Sequence, residues 1–338
     1  MRKIVYMFQQ HEAPHWFRPA MPADYPVEFW QSDRVYESDV VFYYDMYGPY
    51  HENIPQQLAQ GHRIVFDAKN EHYMHYTLHW IFLLFLQCPG QGLILISGES
   101  AKRIPGVTIV AVQHWYWILD QQPFRYFRLH KYQPRPAVTH RFLMTIEKTR
   151  PERDYLCDQL GDLLPQSLYS YRHRGVFLPN DWTEEMGGPY QRYVNPAWLD
   201  ATPFTLVVET YIDDSATSGF SLTTNDRHFL CEKSYKPLAY QHPFIMASTQ
   251  GNLAYLRSQG FESFPELWDE SYDDIADWQE RIRRIVEIVR DFDLRSLDNP
   301  RTKEKLQHNS ARFFDQDLVQ RLLNSTIIEP VLEFVNDA

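Results

Sequence analysis

Short apolar runs rich in β-branched and aromatic residues recur along the first part of the chain: KIVYMF (3–8), DVVFYYD (39–45), RIVFDA (63–68), GLILIS (92–97) and VTIVAV (107–112). Runs that stay apolar at successive positions read as strands buried on both faces of a parallel sheet. Helix-compatible stretches fall between them, Ile54 to Gln60 ended by Gly61 and the aromatic-rich Tyr73 to Gln87. This alternation predicts a doubly wound α/β layer.

The pattern restarts after QPRPAVTH (133–140), where two prolines flank an arginine, so a domain boundary is placed there, giving domains 1–135 and 136–338. The second part offers RFLMTI (141–146), a helix from about Pro151 to Leu164, TLVVETYI (205–212), PFIMAS (243–248) and a helix from Asn252 to Ser258. It reads as a second Rossmann-type layer. From Asp273 to Phe292, Ile275, Trp278, Ile282, Ile285, Val289 and Phe292 recur at helical spacing, with Asp273 and Asp274 placed as N-terminal caps. The tail from Thr302 is helical in pattern, interrupted by Pro330.

Length agrees with two domains, because 338 residues exceed the roughly 250–300 at which single cores split. The longest apolar run, LHWIFLLFL (78–86), is about half of what a bilayer span needs, and MRKIVYMFQQ has no signal-peptide cleavage pattern, so a soluble, cytoplasmic protein is expected. Cys88, Cys157 and Cys231 are odd in number and widely spaced, which suits free thiols and neither a disulfide framework nor a zinc knuckle. Of 33 Lys/Arg and 44 Asp/Glu, 12 of each fall in residues 1–135, so the whole formal charge of −11 belongs to the remainder. Against that acidity, Arg125, Arg128, Lys131, Arg135 and Arg141 form an acid-free basic stretch, a solvated linker or a local patch for an anionic partner.

Several familiar motifs fail on context. HEAPH (11–15) matches H-E-x-x-H, but Pro14 lies between the histidines and Pro19, Pro22 and Pro26 follow, so the segment is a loop and not a zinc-binding helix. No phosphate-binding G-x-x-x-x-G-K-[ST] is present, Gly90-Gln91-Gly92 precedes a strand when a dinucleotide fingerprint should follow one, and there is no G-x-S-x-G elbow.

A more coherent set lies in the second part: Arg150 and Arg153 after a strand, Glu209 at the end of another, then Glu232, Lys233 and Ser234 before PLAYQHPFI. Pro237 is tolerated in a first helical turn, which places a helix start near Lys233 or Ser234. A helix N-terminus with a lysine and arginines beside it suits a diphosphate, and Glu232 suits sugar hydroxyls.

With those residues in place, the C-terminal part resembles the α1,3-fucosyltransferases and related GT-B glycosyltransferases. In that family a strand ending in glutamate leads to a T-E-K segment opening a helix, followed by a hydrophobic strand; here Val207-Val208-Glu209-Thr210, Cys231-Glu232-Lys233-Ser234 and PFIMAS hold those places. The resemblance implies that Glu232 and Lys233 contact the nucleoside diphosphate of a sugar donor and that Arg153, in Arg153-Asp154-Tyr155-Leu156, contacts its phosphate. Cys231 stands where the family has threonine, and Pro237 is a further departure. The run from His242 to Ile282 is also similar to a group of phage and bacterial proteins described as glycosyltransferases. The implied fold is GT-B-like, two Rossmann-type domains facing across a cleft, with the likeness covering about residues 140–292.

The expected reaction is an inverting, metal-independent sugar transfer from a nucleotide-sugar donor, with no cofactor. A carboxylate takes the acceptor proton while cations stabilise the departing diphosphate. Candidate bases are Asp67 and Glu71 first, then Glu12 and Asp45, all at or after strand ends. Asp213-Asp214 is the nearest approach to a metal-binding acidic pair. The acceptor is open: a glycan, a small molecule, or a hydroxymethylated DNA base approached through the basic stretch. A non-catalytic nucleotide- or glycan-binding module of the same fold is the reading outside enzymology.

Overall fold

A computed structural model describes residues 3–6, 27–29, 40–45, 54–68, 81, 83–88, 90–97, 104–112, 138–178, 195–212, 228 and 230–336. The chain divides into two compact units. Unit 1 comprises Met1–Asp120 and Gln316–Ala338, and unit 2 comprises Gln121–Asp315. Each unit carries its own wholly parallel sheet, so the chain is α/β with two parallel sheets.

Unit 1 is built on β1 (Lys3–Tyr6), β2 (Val27–Phe29), β3 (Val40–Asp45), β4 (Arg63–Ala68), β5 (Gly92–Ser97) and β6 (Val107–Val112), in the spatial order β2-β1-β3-β4-β5-β6. The apolar runs of β3, β4 and β5 are buried at successive positions, so both faces of these central strands are covered, while the edge strand β6 is buried only at Val112. Phe42, Ile64, Phe66, Ile94 and Ile96 pack with Ile54, Leu58, Ile81 and Phe85 into one buried cluster. Helix α1 (Ile54–Ala59) stops where expected, at Gly61, whose φ of +82° is a left-handed conformation that glycine adopts without cost.

Unit 2 contains β7 (Leu143–Ile146), α2 (Pro151–Leu160), β8 (Leu168–Tyr171), α3 (Pro196–Asp200), β9 (Thr205–Val208), α4 (Glu232–Ala239), β10 (Phe244–Ala247), α5 (Asn252–Ser258), α6 (Trp278–Asp291) and α7 (Pro300–Phe313). The strand order is β10-β9-β7-β8, so the chain leaves β7 to one side for β8 and returns to its other side for β9. The two edges of this sheet differ in chemistry. At the amino edge Phe142, Phe204, Phe244, Phe264, Trp268 and Phe292 pack ring against ring with centroids 5.0–6.1 Å apart, each contact worth about 0.5–1.5 kcal/mol beyond area burial. The polar groups are gathered at the carboxyl edge.

Two sequence expectations are corrected. The last residues do not stay with the second layer: α8 (Gln316–Leu323), a π-helical segment (Asn324–Ile328) and α9 (Glu329–Asn336) belong to unit 1. Their apolar stripe of Val319, Leu323, Ile327, Val331 and Val335 is buried, and Arg63 of β4 donates to the Phe334 carbonyl at 2.5 Å while lying over its ring. Asp273 and Asp274 do not cap the long helix; α6 begins later, capped by Asp277, whose carboxylate accepts from Glu280 N–H at 2.7 Å. Asp273 instead caps α5 from outside, accepting from Leu253 and Ala254 N–H at 3.1 Å each, because the N-cap residue there is Gly251, which has no side chain.

The cysteines are free thiols in unequal surroundings. Burial pushes the Cys157 thiol up to about 12, Cys231 is fully buried, and Cys88 is half-buried. Titration with Ellman's reagent at about pH 8 should therefore find one fast thiol in the native protein and three after denaturation. Two or more fast native thiols would contradict this packing.

Candidate functional site

In a parallel α/β sheet, ligands bind beyond the carboxyl ends of the strands where the chain reverses its direction of winding. In unit 2 that position lies between β7 and β9. The residues following these strands are Glu147-Lys148-Thr149-Arg150 and Glu209-Thr210-Tyr211. TLVVETYI, read as one strand, ends at Val208; Glu209 N–H still donates to the Ala247 carbonyl at 2.9 Å, and its side chain bonds to Thr210, Cys231 and Ser234.

All six residues expected at a donor site meet on or beside this Glu209–Tyr211 tripeptide, but they do different things. Glu209 is fully buried and acts as an anchor. Its Oε1 accepts from Cys231 N–H at 3.0 Å and Ser234 Oγ–H at 2.5 Å, and its Oε2 accepts from Thr210 N–H at 3.0 Å and the Cys231 thiol at 2.8 Å. One carboxylate thus satisfies the N-terminal end of α4, whose N-cap Cys231 makes no capping bond of its own. Ser234, with no exposed surface, belongs to the same anchor. Arg153 is likewise buried, donating to the Lys148 carbonyl at 3.0 Å and the Glu209 carbonyl at 2.9 Å. It ties the loop after β7 to the loop after β9.

The side chains left at the surface of this frame are Lys233, Glu232 and Arg150. Lys233 Nζ lies 3.5 Å from Thr210 Oγ1, 3.1 Å from Cys231 Sγ and 3.1 Å from Glu232 Oε1, the ion pair retaining 17% side-chain exposure on each partner. Arg150 lies with its guanidinium over the Tyr211 ring, 5.2 Å from the centroid. Among the described residues that guanidinium has no hydrogen-bond or ion-pair partner. Two cations therefore stand on adjacent residues, Thr210 and Tyr211, next to the positive end of α4. The Cys231 thiol has a clear part in this, donating to Glu209 on one side and contacting Lys233 on the other.

Pro237 overturns one expectation. Helix α4 opens at Glu232, so Pro237 falls in its second turn and not in its first. The missing N–H would have bonded the Lys233 carbonyl, and α4 is accordingly short, eight residues ending at Ala239. Glu232 and Lys233 still occupy its first turn.

Beyond β8, the Arg172 to Arg174 turn adds charges that are already balanced. Arg172 pairs with Glu147 at 3.4 Å and Arg174 with Asp154 at 2.6 Å, while Tyr171 donates to Asp154 from beneath the Arg174 guanidinium. Burial, followed by that bond to a carboxylate, raises the Tyr171 phenol above its ordinary range. Burial also raises the Asp273 carboxyl, with the α5 N–H groups pulling the other way.

The candidate bases fare unevenly. Glu12 and Glu71 lie outside the described residues, as do the HEAPH segment and Asp213-Asp214, and the side chain of Asp45 is not described. Asp67, on β4, is 5% exposed and accepts from Tyr43 Oη at 2.6 Å. A base must reach the proton it removes; these contacts make Asp67 a tether between β3 and β4. No cluster of three or more His, Cys, Asp or Glu among the described residues is arranged to hold a metal ion, and no helix among them is long and apolar enough to cross a membrane.

Two residues of this edge escaped the sequence reading. Arg281 of α6, 1% exposed, donates to carbonyls of Ile212, Ser248, Ile275 and Ala276. Its signal was present, since position 281 lies on the same helical stripe as Trp278, Ile285 and Ile288. His228, stacked on Tyr255, had no periodic signal at all. Comparison of the chain with protein-family models, with curated proteins and with solved structures found no match.

Proposed function

We propose that the protein is a glycosyltransferase that holds a nucleoside-diphosphate sugar at the carboxyl edge of the unit 2 sheet and transfers the sugar to an acceptor hydroxyl. The observation that carries this reading is the pair of half-buried cations, Lys233 and Arg150, fixed on Thr210 and Tyr211 at the point where the sheet reverses its winding. Fixed cations at a helix N-terminus favour a diphosphate, and they favour it more as charge builds on it during departure. In the transfer, the acceptor oxygen bonds to the anomeric carbon, the bond from that carbon to the diphosphate oxygen breaks, and the acceptor proton passes to a carboxylate. Glu71 and Glu12 are the proposed proton acceptors. Two units, each with its own parallel sheet, support a GT-B-like organisation.

The test is a thermal-shift and calorimetric panel of UDP, GDP, CDP, ADP and their sugars on the wild type, Lys233→Ala and Arg150→Ala. One nucleotide family should stabilise the wild type, and each variant should weaken its binding about ten- to a hundredfold, the loss of one charge-assisted contact. Wild-type indifference to every nucleotide, or variants that respond like wild type, would overturn the assignment. Binding without transfer or donor hydrolysis would point to a non-catalytic module. Transfer should persist in EDTA, the cations standing in for a metal; a strict Mg²⁺ or Mn²⁺ requirement would refute that part.

A further inference from the structure

The carboxyl edge of the unit 2 sheet holds one aromatic group that the cation site does not use. His228 lies three residues before the N-cap of α4, and its imidazole stacks on the Tyr255 ring with centroids 5.2 Å apart and planes within 18°. Tyr255 is on α5, directly after β10, and is 8% exposed, so it forms a fixed backing. The imidazole edge rests on Gly251, where an added Cβ would come 2.9 Å from Cε1, and that glycine also holds a φ of +78°. The ring is thus set by two neighbours, yet it remains half-buried, and its Nδ1 has no hydrogen-bond partner among the described residues.

Its position relative to the cations gives it a use. The strand order places β10 beside β9 and β9 beside β7. Along the carboxyl edge the imidazole therefore stands after β10, the Lys233 ammonium against Thr210 after β9, and the Arg150 guanidinium between the loops of β7 and β9. Neighbouring strands are about 4.8 Å apart, so the row spans roughly 10 Å, the scale of an extended nucleoside diphosphate. We infer that His228 is the stacking platform for the base of that nucleotide, with Lys233 and Arg150 on its phosphates. The inference rests on the donor-site reading and adds the end from which the base enters. The Tyr255 backing holds the ring parallel to a base stacked on it.

Pyrophosphate separates the two readings, because it carries the phosphates without the base. Calorimetric titrations would compare pyrophosphate with UDP, GDP, CDP and ADP on the wild type, His228→Ala and His228→Phe. Stacking of a base on an aromatic side chain predicts that His228→Ala loses about tenfold or more in affinity for the preferred nucleoside diphosphate while pyrophosphate binding stays unchanged. His228→Phe, which keeps the ring, should stay within about threefold of wild type. Equal losses for nucleotide and pyrophosphate in His228→Ala, or unchanged nucleotide affinity, would overturn the inference. So would a wild type that binds pyrophosphate as tightly as every nucleotide, which leaves the cation site standing. A wild type that binds neither removes both readings.

Discussion

Arg281→Met should lower the stability of unit 2 by about 3 kcal/mol, the largest loss expected from a single side chain outside the aromatic core. The Arg281 stem is enclosed, and methionine fills much of its volume, so the loss is chiefly polar. The guanidinium Nε donates to Ser248 O at 2.9 Å, Nη2 to Ile212 O at 2.6 Å, and Nη1 to the Ile275 and Ala276 carbonyls. Each buried acceptor left bare costs about 1–3 kcal/mol. Relief from burying a charge works the other way, and it is why the expected loss is well below the sum. In a buried ion pair both partners can be replaced together by apolar groups; carbonyls of the main chain cannot be, so the destabilising side prevails. Arg281→Lys, with a charge but no fork, should recover about half. The check is the urea midpoint of the unit 2 transition, and a loss under about 1 kcal/mol for Arg281→Met would mean that water replaces the guanidinium.

Arg281 also shows why part of this architecture is legible in the chain and part is not. Strands buried on both faces announce themselves, which is why RIVFDA and GLILIS match β4 and β5 residue for residue; VTIVAV matches β6 although that edge strand is buried only at Val112, because its β-branched residues mark it by propensity alone. Short strands do not. β8 reads LYSY, half-buried at Leu168 and Tyr169 and buried at Ser170 and Tyr171, so no continuous apolar run marks it. β2 is three residues long, too short for any period to register. The end of β9 was misplaced because VVETYI is β-prone throughout; what stops the strand is the bonding of Glu209 to α4, which no local propensity encodes.

At the candidate site, residue types were legible and their division of labour was not. Arg153, Glu209 and Ser234, expected to touch a donor, are buried, and their contacts here tie the loops after β7 and β9 and the start of α4 together, because buried polar groups must find partners within the fold. Lys233, Glu232 and Arg150 keep exposed surface and are the ones proposed to meet a donor. Cys231 sits with its thiol 2.8 Å from Glu209 Oε2, a place where a hydroxyl would also donate.

That anchor makes Glu209 the position where stability and ligand binding should fail together. Glu209→Ala removes the acceptor of four donors, Thr210 N–H, Cys231 N–H, the Cys231 thiol and the Ser234 hydroxyl, inside a site with no solvent access. A loss of about 3 kcal/mol is expected, since two main-chain N–H groups cannot be removed and the hydroxyl can rotate elsewhere. Glu209→Gln keeps the shape but turns an NH₂ group toward either the Thr210 N–H or the Cys231 N–H, setting donor against donor, so it should cost about 2 kcal/mol and not be silent. The functional consequence follows from what α4 carries. Lys233 holds its place through Thr210 and Cys231, both bonded to Glu209, so loosening the anchor displaces the ammonium without altering it. At temperatures where Glu209→Gln is still folded by circular dichroism, its nucleotide affinity should fall at least tenfold, while Arg281→Lys at matched stability should fall less. If Glu209→Gln binds nucleotide as wild type does, the placement of Lys233 is independent of the anchor, and the site must be held by the Glu232 pair alone.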